Sequence, residues 1–250
     1  MQGEDYLNGL MYHMTHSDNL FDIIKSRNLL SQQKLEETTL QALSIANEEV
    51  QNLRKRIFVW SIPEKRYRAL HSYVPFYFAT QTPMFYNQRN KGIQNNLVIF
   101  EVSCAYIGSV DHSVLFTDGN ASKQQLSKFR GEKVYIEPAT LDKDCKRRYI
   151  PNGPHGKSVK VSDFYADPSL LTHVNWDVIT GHTFIEDKEE YLRLKHAEVL
   201  CPDNFPLDEM LSICVGTRKM VETVKSIFVA CGYTEKDFDL PIAYKPHLFN

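Results

Sequence analysis

A carboxylic acid stands inside an apolar run near the end of the chain, in the segment Lys195-His196-Ala197-Glu198-Val199-Leu200. The run has the composition of a short strand, predicted at residues 197–201, and an unpaired charge buried in such a strand is costly. Glu198 is therefore either exposed on a sheet edge or kept for chemistry, because perturbed carboxylates gather at functional sites. Arg54 poses the same alternative, since an arginine on a helix is by default solvated.

The segment His13-Met14-Thr15-His16 combines imidazole and hydroxyl side chains. Its H-x-x-H spacing could suggest a metal pair, but on the strand predicted around residues 11–14 the two histidines point to opposite faces. The sequence has no H-E-x-x-H motif and no C-x-x-C spacing among its five cysteines, so no metal site is predicted. His13 and Thr15 share a face, which suits a ligand-binding edge, although a histidine buried among hydrogen-bond partners is equally common.

Several signatures of nucleotide binding and hydrolysis are missing from the sequence. It contains no G-x-x-x-x-G-K-[ST] loop, no G-x-G-x-x-G loop and no G-x-S-x-G elbow. A formal net charge of −2 gives no general attraction to nucleic acid. Three basic clusters are either solvated surface or phosphate contacts: Arg54-Lys55-Arg56, Lys65-Arg66 with Arg68, and Lys143 with Lys146-Arg147-Arg148.

The composition is that of a soluble globular protein, with 42% hydrophobic and 24% charged residues. No apolar run approaches the roughly 20 residues that cross a bilayer, and the first residues lack a basic start followed by an apolar stretch. We therefore expect a cytoplasmic protein with no membrane partner.

The periodicity of the sequence predicts its main elements. Apolar residues recur every three or four positions across residues 36–56, which predicts one long helix. Runs rich in β-branched and aromatic residues predict strands at 74–79 and 97–103. A further helix is predicted at 218–230, ended by Gly232. Because helices and strands do not alternate regularly, the predicted class is α+β.

The chain has no internal repeat or low-complexity tract, and we expect a single domain over residues 1–250. Residues 131–168 are the least regular part and contain four prolines. They are predicted to form a long surface excursion, and loops of such length in a compact domain are often functional.

Six short blocks form an ordered series along most of the chain. They are Tyr12-His13-Met14-Thr15-His16 with Asp18-Asn19-Leu20, Ser44-Ile45-Ala46 with Arg54 and Arg56, His71 through Phe78, Pro83-Met84 with Tyr86, Phe116-Thr117-Asp118, and Ala197-Glu198 with Leu200. In this order they resemble the DarT family of bacterial toxins, whose members open on a Y-H-x-T-H-x-D-N-L pattern. The opening block and V-P-F-Y-F are the specific ones.

The resemblance implies an ADP-ribosyltransferase fold, a split, mixed β core with surrounding helices, and NAD+ as co-substrate in its cleft. It implies that Arg54 and Glu198 are catalytic and that a segment at about 41–56 closes over the dinucleotide. It also implies NAD+ contacts from His13, Met14, Thr15, Leu30, Ser44 and Arg54, and acceptor contacts from His71, Met84 and Tyr86.

The residue types suit this chemistry. Breaking the bond between ribose and nicotinamide develops positive charge in the transition state, which a carboxylate such as Glu198 stabilises. A base nitrogen must lose its proton to attack, but a guanidinium stays charged and is a poor free base. Arg54 therefore suits a contact to the pyrophosphate or to a base oxygen, although the family assigns it to proton transfer.

The expected acceptor is a base in single-stranded DNA, because the base must be unstacked and accessible. RNA as acceptor and hydrolysis of NAD+ are alternatives, and a nonenzymatic nucleic-acid-binding protein is disfavoured by Glu198. The resemblance also implies a toxin restrained by a cognate antitoxin protein.

Three departures from the family pattern leave the modified base and its sequence motif open. Gly119-Asn120 follows F-T-D where family members often carry a histidine, Gln81 stands at an often basic position, and the excursion at 131–168 is long.

Overall fold

The β-branched and aromatic runs build a central sheet of eight strands. The computed structural model describes residues 3–38, 42–110, 113–124, 132–138, 149–150, 159–234 and 240–250. The strand predicted at 97–103 is confirmed with the same bounds, and six of its seven residues are buried. Such a continuous apolar run is typical of a strand covered on both faces.

The described strands and helices are as follows. The strands are β1 (Leu10–His16), β2 (Asn28–Leu30), β3 (Ile57–Ser61), β4 (Arg66–Ala69), β5 (Tyr73–Tyr77), β6 (Leu97–Ser103), β7 (Leu115–Asn120), β8 (Val134–Ile136), β9 (Tyr149–Ile150), β10 (Val159–Lys160), β11 (Phe164–Tyr165), β12 (Ala197–Pro202), β13 (Asn204–Pro206), β14 (Met210–Val215) and β15 (Ile242–Tyr244). The helices are α1 (Leu20–Ser26), α2 (Gln32–Glu37), α3 (Glu48–Arg54), α4 (Pro83–Asn90), α5 (Ala105–Ser109), α6 (Trp176–Thr180), α7 (Lys188–Lys195) and α8 (Arg218–Ala230). Short 3-10 helices span Gly3–Asn8, Ser17–Asn19, Leu70–Ser72, Gln94–Asn96, Pro168–His173, Leu207–Glu209 and Pro246–Phe249.

The central sheet is mixed and split. Its order is β11-β7-β12-β5-β1-β6-β14-β15, and its neighbours are antiparallel except for β14 and β15. β1 pairs with β6 over seven residues but meets β5 at one register pair, Tyr12 opposite Tyr77. The two half-sheets therefore join at one point and diverge beyond it, as the predicted split core requires.

Amphipathic helices cover the sheet. α8 has the predicted bounds, and its buried residues Met220, Val224 and Phe228 recur every four positions in the main core cluster. This spacing places one apolar stripe against the sheet. Gly232, which follows the helix, has a positive φ of 88° that glycine adopts without strain.

The single helix predicted over 36–56 is wrong. α2 ends at Glu37 and α3 begins at Glu48, residues 42–47 are not helical, and residues 39–41 lie outside the described part of the chain. Ser44 Oγ accepts from the Ala46 amide at 3.3 Å, and Asn47 Oδ1 accepts from the Glu49 amide at 2.8 Å. Such local bonds compete with helix formation and favour a cap, which the apolar periodicity does not register.

The excursion predicted at 131–168 lies partly outside the described residues, at 131, 139–148 and 151–158. Its described parts contribute to the sheets. β8 runs parallel to β3 in a three-stranded sheet, and β11 forms the edge of the central sheet beside β7. Ile136 and Phe164 are fully buried there.

Candidate active site

A cleft of about 350 Å³ opens where the two half-sheets diverge. This volume is within the usual range for ligand sites, about 300–1,000 Å³. His13 on β1 and Pro75 on β5 lie on opposite sides of it, and His13 Nδ1 donates across the split to the Pro75 carbonyl oxygen at 2.8 Å. In the neutral ring this fixes Nε2 as an acceptor.

Glu198 is directed by an irregularity between β12 and β7. Ala197 lies opposite Asn120 and Val199 opposite Phe116, so Glu198 alone faces the three residues at 117–119. Bulges of this kind redirect a side chain and are common beside active sites. The Glu198 amide donates to Thr117 Oγ1 at 3.0 Å. Two extra residues in β7 thus set the orientation of Glu198 in the cleft.

The Glu198 carboxylate is held at both oxygens. Its Oε1 accepts from the Ala121 amide at 3.1 Å, and its Oε2 accepts from Arg54 Nη1 at 2.8 Å. Glu198 is 2% exposed and Arg54 5% exposed, so the edge position considered for Glu198 and the solvated position considered for Arg54 are both wrong. The run K-H-A-E-V-L contains a buried acid because a guanidinium and a backbone amide compensate its charge.

Arg54 has hydrogen-bonding capacity left over. α3 ends at this residue, which lines the cleft, and its Nη2 is buried with no partner within the described ranges of the chain. A buried donor without a partner costs about 1–3 kcal/mol, so native structures seldom keep one without a reason. A ligand in the cleft would supply the missing acceptor.

The segment at 42–47 is held over the cleft from two sides. Asn19 Nδ2 donates to the Leu43 carbonyl at 3.0 Å, and the Leu43 amide donates to Asn19 Oδ1 at 2.8 Å. From α4, Gln88 Nε2 donates to the carbonyl of Ile45. Asn19 belongs to the opening sequence block, but the sequence did not reveal this anchoring role, because it needs a contact between residues 24 positions apart.

Three histidines line the cleft, and burial lowers the pKa of each of them: His13, His71 and His196. His71 Nε2 contacts Glu36 Oε1 at 3.1 Å, and Glu36 Oε1 also contacts Lys55 Nζ at 3.0 Å. This chain of contacts ties α2 to the end of α3. His71 Nδ1 is buried and, like Arg54 Nη2, has no partner among the residues that the structure describes.

The structure brings nine of the ten predicted site residues together in this cleft. They are His13, Met14, Thr15, Leu30, Ser44, Arg54, His71, Met84 and Glu198. Tyr86 lies instead in a neighbouring groove, which shares Pro83 with the cleft. Asn120, at the position where the family pattern often has histidine, also lines the cleft.

A buried charge network behind Glu198 was missed by the sequence analysis. Arg193 of α7 donates through Nη1 to Asp118 Oδ1 at 3.1 Å and makes two bonds to Glu190 at 2.7 and 2.8 Å. Asp118 also accepts from Lys160 at 2.8 Å. A Cβ on Gly119 would stand 2.3 Å from Arg193 Nη1, so the guanidinium lies directly on the β7 bulge.

The basic clusters are mostly engaged within the protein. Arg68 pairs with Glu64 and Asp203, and Arg66 pairs with Glu64. These contacts favour a structural role over a phosphate track for that cluster. The cluster that begins at Lys143 lies outside the described residues.

Comparison with known proteins identifies the family. The DarT model, described as ssDNA thymidine ADP-ribosyltransferase, matches residues 12–143 and 136–250. The chain belongs to the DarT family. A DNA ADP-ribosyl transferase of Thermus sp. (strain 2.9) is 37% identical over 217 residues, which cover 87% of this chain and 86% of that protein. One from Mycobacterium tuberculosis (strain ATCC 25618 / H37Rv) is 32% identical over 180 residues, 68% of this chain and 74% of its own length.

Solved structures carry the same fold. Thermus sp. 2.9 DarT in complex with ADP-ribosylated ssDNA superposes with a TM-score of 0.71, at 21% identity over 97% of each chain. The same DarT in complex with NAD+ gives a TM-score of 0.66, at 20% identity over 97% of this chain and 98% of that one. The predicted ADP-ribosyltransferase fold is confirmed.

DarT membership makes the chain an NAD+-dependent ADP-ribosyltransferase, as the resemblance implied. The family description names single-stranded DNA, so the RNA alternative finds no support there. Among the described residues, no three His, Cys, Asp or Glu side chains group as metal ligands do. None of the described helices combines the length and apolar character that spanning a bilayer requires.

Proposed function

We propose that this DarT-family enzyme transfers ADP-ribose from NAD+ to thymidine in single-stranded DNA, with Glu198 and Arg54 at the reaction centre. The observation that carries the proposal is the buried Arg54–Glu198 pair at 2.8 Å in a cleft between diverging half-sheets, with Arg54 Nη2 left without a partner in the described part of the chain. A charge pair held this way is suited to a ligand that brings its own polar atoms.

The cleft fits a dinucleotide on the evidence of its unsatisfied polar atoms. Arg54 Nη2 and His71 Nδ1 are both buried without partners among the described residues. His13, Met14, Thr15, Leu30 and Ser44 would hold NAD+ from β1, β2 and the segment at 42–47. When bound, NAD+ supplies an activated ribosyl group with nicotinamide as its leaving group.

Glu198 would act on charge that appears only in the transition state. Its carboxylate is fixed before any ligand binds, because Ala121 and Arg54 occupy one oxygen each. Fixed dipoles and charges need no reorganisation when the positive charge develops at the ribose, and this makes them effective catalysts. Glu198 would also accept a hydrogen bond from a ribose hydroxyl and so orient the sugar.

Arg54 would serve the acceptor and the phosphates rather than act as a free base. Its guanidinium stays protonated, so it stabilises anions and does not remove protons. A donor contact from Nη2 to a base oxygen would favour the deprotonated ring nitrogen that attacks. Met84 and His71 would place the base from α4 and from the segment before β5, and Tyr86 would contact the acceptor strand from the neighbouring groove.

We further propose that the chain is the toxin of a toxin–antitoxin pair acting in the cytoplasm. Support comes from Thermosipho africanus DarTG in complex with ADP-ribose, where this chain aligns with 51% of a longer chain at a TM-score of 0.64. The partner would be a cognate antitoxin protein that restrains the activity.

One experiment separates the candidate reactions. The protein is incubated with NAD+ and with matched DNA or RNA oligonucleotides that differ only in one thymidine or uridine. We expect a mass gain of one ADP-ribose on the DNA that contains thymidine. A gain on RNA would replace the acceptor, and nicotinamide released at the same rate without nucleic acid would make the protein an NAD+ hydrolase.

A further inference from the structure

A second cavity lies beside the cleft, and among the ten predicted site residues it contains Tyr86. It measures about 540 Å³ and is lined by Tyr12, Phe78, Tyr86, Tyr191 and Lys195, among others. We call it the flanking groove. It begins where the half-sheets join. Tyr12 and Tyr77 form the single register pair at that junction, and Tyr12 lines the groove while Tyr77 lines the cleft.

The same chain segments build both cavities. In α4, Met84 lines the cleft, Tyr86 lines the groove and Pro83 lines both. At the junction of α7 and β12, His196 and Glu198 line the cleft while Lys195 lines the groove. Three residues of extended chain span at most about 11 Å. The groove therefore lies within a dinucleotide's length of the reacting centre.

The groove offers aromatic faces. Tyr86 is 42% exposed, and its hydroxyl is held by Gln81 Oε1 at 3.0 Å. Tyr191 packs against Phe184 with ring centroids 5.3 Å apart, and Phe184 is itself 75% exposed. Aromatic side chains stack on the faces of bases, and such stacking tolerates any base.

The groove also holds a cation with spare donors. Lys195 Nζ donates to the Ile179 carbonyl at 2.8 Å, which uses one of its three N–H groups. Among the described residues, no carboxylate lies within ion-pair distance of it, and none of the groove's lining residues is acidic. Burial lowers the pKa of Lys195, as expected for an ammonium without a counter-ion.

We propose that the flanking groove binds the nucleotide next to the modified thymidine, with its base against Tyr86 and Tyr191 and its phosphate at Lys195. This inference rests on the proposed function, because it presumes single-stranded DNA in the neighbouring cleft. The aromatic faces suit a base, the unpaired ammonium suits a phosphate, and the continuity at Pro83 suits one strand passing through both cavities.

The test is a titration of the full chain with a fluorescent single-stranded oligonucleotide containing one thymidine, without NAD+, at several salt concentrations. Loss of one phosphate contact should reduce the slope of log affinity against log salt by about 0.7. For Lys195→Met we expect that reduction and a fall in affinity of about tenfold at low salt. Lys188→Met, an exposed lysine at the other end of α7, should change neither.

Stacking is tested by a double-mutant cycle on oligonucleotide affinity, which combines Tyr191→Leu in the protein with an abasic residue beside the thymidine in the DNA. Tyr191→Leu should weaken binding of the intact oligonucleotide at least about fivefold. It should have little effect on binding of the oligonucleotide whose abasic residue lies in the groove. Comparing an abasic residue on the 5′ side of the thymidine with one on the 3′ side shows which neighbour occupies the groove, and hence the direction of the strand. This cycle carries the test alone if Lys195→Met does not fold.

The outcomes separate the two proposals. If the parent protein does not transfer ADP-ribose to this oligonucleotide when NAD+ is added, the proposed function fails. If the parent does transfer ADP-ribose, two results together overturn the proposal for the flanking groove. These are an unchanged salt slope in Lys195→Met and additive effects of Tyr191→Leu and the abasic residue. Weaker NAD+ binding by Lys195→Met, with DNA affinity unchanged, would also overturn it, since the groove would then belong to the dinucleotide.

Discussion

Arg54 and Arg193 are both buried against carboxylates, yet the protein satisfies them differently. Arg193, 2% exposed, donates to Glu190 through Nε and Nη2 and to Asp118 and Ser162 through Nη1. Arg54, 5% exposed, donates to Glu198 through Nη1, and no residue that the structure describes accepts from its Nη2. Both arginines contact the junction of β7 and β12, since Arg193 contacts the β7 bulge and Arg54 contacts Glu198, which faces that bulge.

The difference distinguishes an arginine with a structural role, Arg193, from one that is available to a ligand, Arg54. A guanidinium whose three nitrogens all donate within the protein fixes a local geometry, because any movement would leave a buried charge unpaired. One with a donor in reserve can accept a ligand without first breaking an internal bond. The predictions below ask whether Arg193 acts through stability and the Arg54–Glu198 pair through rate.

The largest expected effect follows from Arg193→Met. It leaves Asp118 and Glu190 without their buried partner, and breaking a buried pair typically costs about 3–5 kcal/mol. Urea unfolding should show a loss of this size, tempered because Asp118 keeps Lys160. Adding Asp118→Asn should restore part of the stability, since it removes the uncompensated charge. A loss below about 1 kcal/mol would contradict the supporting role.

Glu198→Gln should lower the rate of transfer, and it should also cost some stability, because the buried Arg54 guanidinium loses its carboxylate partner. The amide is isosteric and its oxygen can still accept from Ala121, but the negative charge is gone. Removing a preorganised electrostatic contact typically lowers kcat by about 10²–10³-fold. Initial rates of ADP-ribose transfer measure this, with the exposed Glu189→Gln on α7 as the control. Transfer at the parent's rate would exclude Glu198 from the mechanism.

Gly119→Ala sharpens the comparison by displacing Arg193 without removing it. The new Cβ would stand 2.3 Å from Arg193 Nη1 and 3.0 Å from its Cγ and Cζ, so the side chain must move. Overpacking of this kind costs about 1–3 kcal/mol, measurable by urea unfolding. Gly108→Ala is the matched control, because its nearest neighbour would be Leu7 at 3.5 Å. Equal stabilities for the two variants would argue against a tight contact at Gly119.

The smallest effect concerns His13, which lines the cleft with Arg54. Burial lowers the pKa of His13, so the unfolded chain binds its proton first as the pH falls below 6.5. Stability from His13 is thus present above pH 6.5 and is lost towards acid, by at most about 1.4 kcal/mol per pH unit. The lowered carboxyl pKa values of Glu36 and Glu101 act below 4.5, outside this window.

Urea unfolding between pH 7 and 5 should therefore be less pH-dependent in His13→Gln than in the parent. Glutamine keeps a donor for the Pro75 carbonyl but does not titrate. His182→Gln is the control, because that histidine is exposed. An identical pH dependence in His13→Gln and the parent would mean that His13 is not held neutral by folding.

The sequence predicts those parts of the molecule that depend on local periodicity. β6 and α8 have the predicted bounds because each has one apolar pattern along its whole length. The long helix at 36–56 fails because Ser44 and Asn47 form local bonds that periodicity does not detect. The family blocks identify Glu198 and Arg54, but not the network around them.

What could not be predicted depends on distant contacts. Arg193 reaches Asp118 across 75 positions, and nothing in its neighbourhood marks it as different from Lys195. Arg193 donates from all three of its guanidinium nitrogens, whereas Lys195 makes one hydrogen bond, and the packing of α7 against β7 decides this difference. Burial of Glu198 likewise follows from a partner 144 positions away.

The extra residues of β7 opposite Glu198 also limit how the chain length can change there. Because three residues face one, the excess is two, and the alternation of side chains continues in phase on both sides of the bulge. A single insertion or deletion at 117–119 would turn Asn120 and the Ala121 amide away from the carboxylate, whereas point substitutions leave the phase intact. Length parity in this short stretch is therefore a further requirement of the active site, beside the contacts made by Thr117, Asp118 and Gly119.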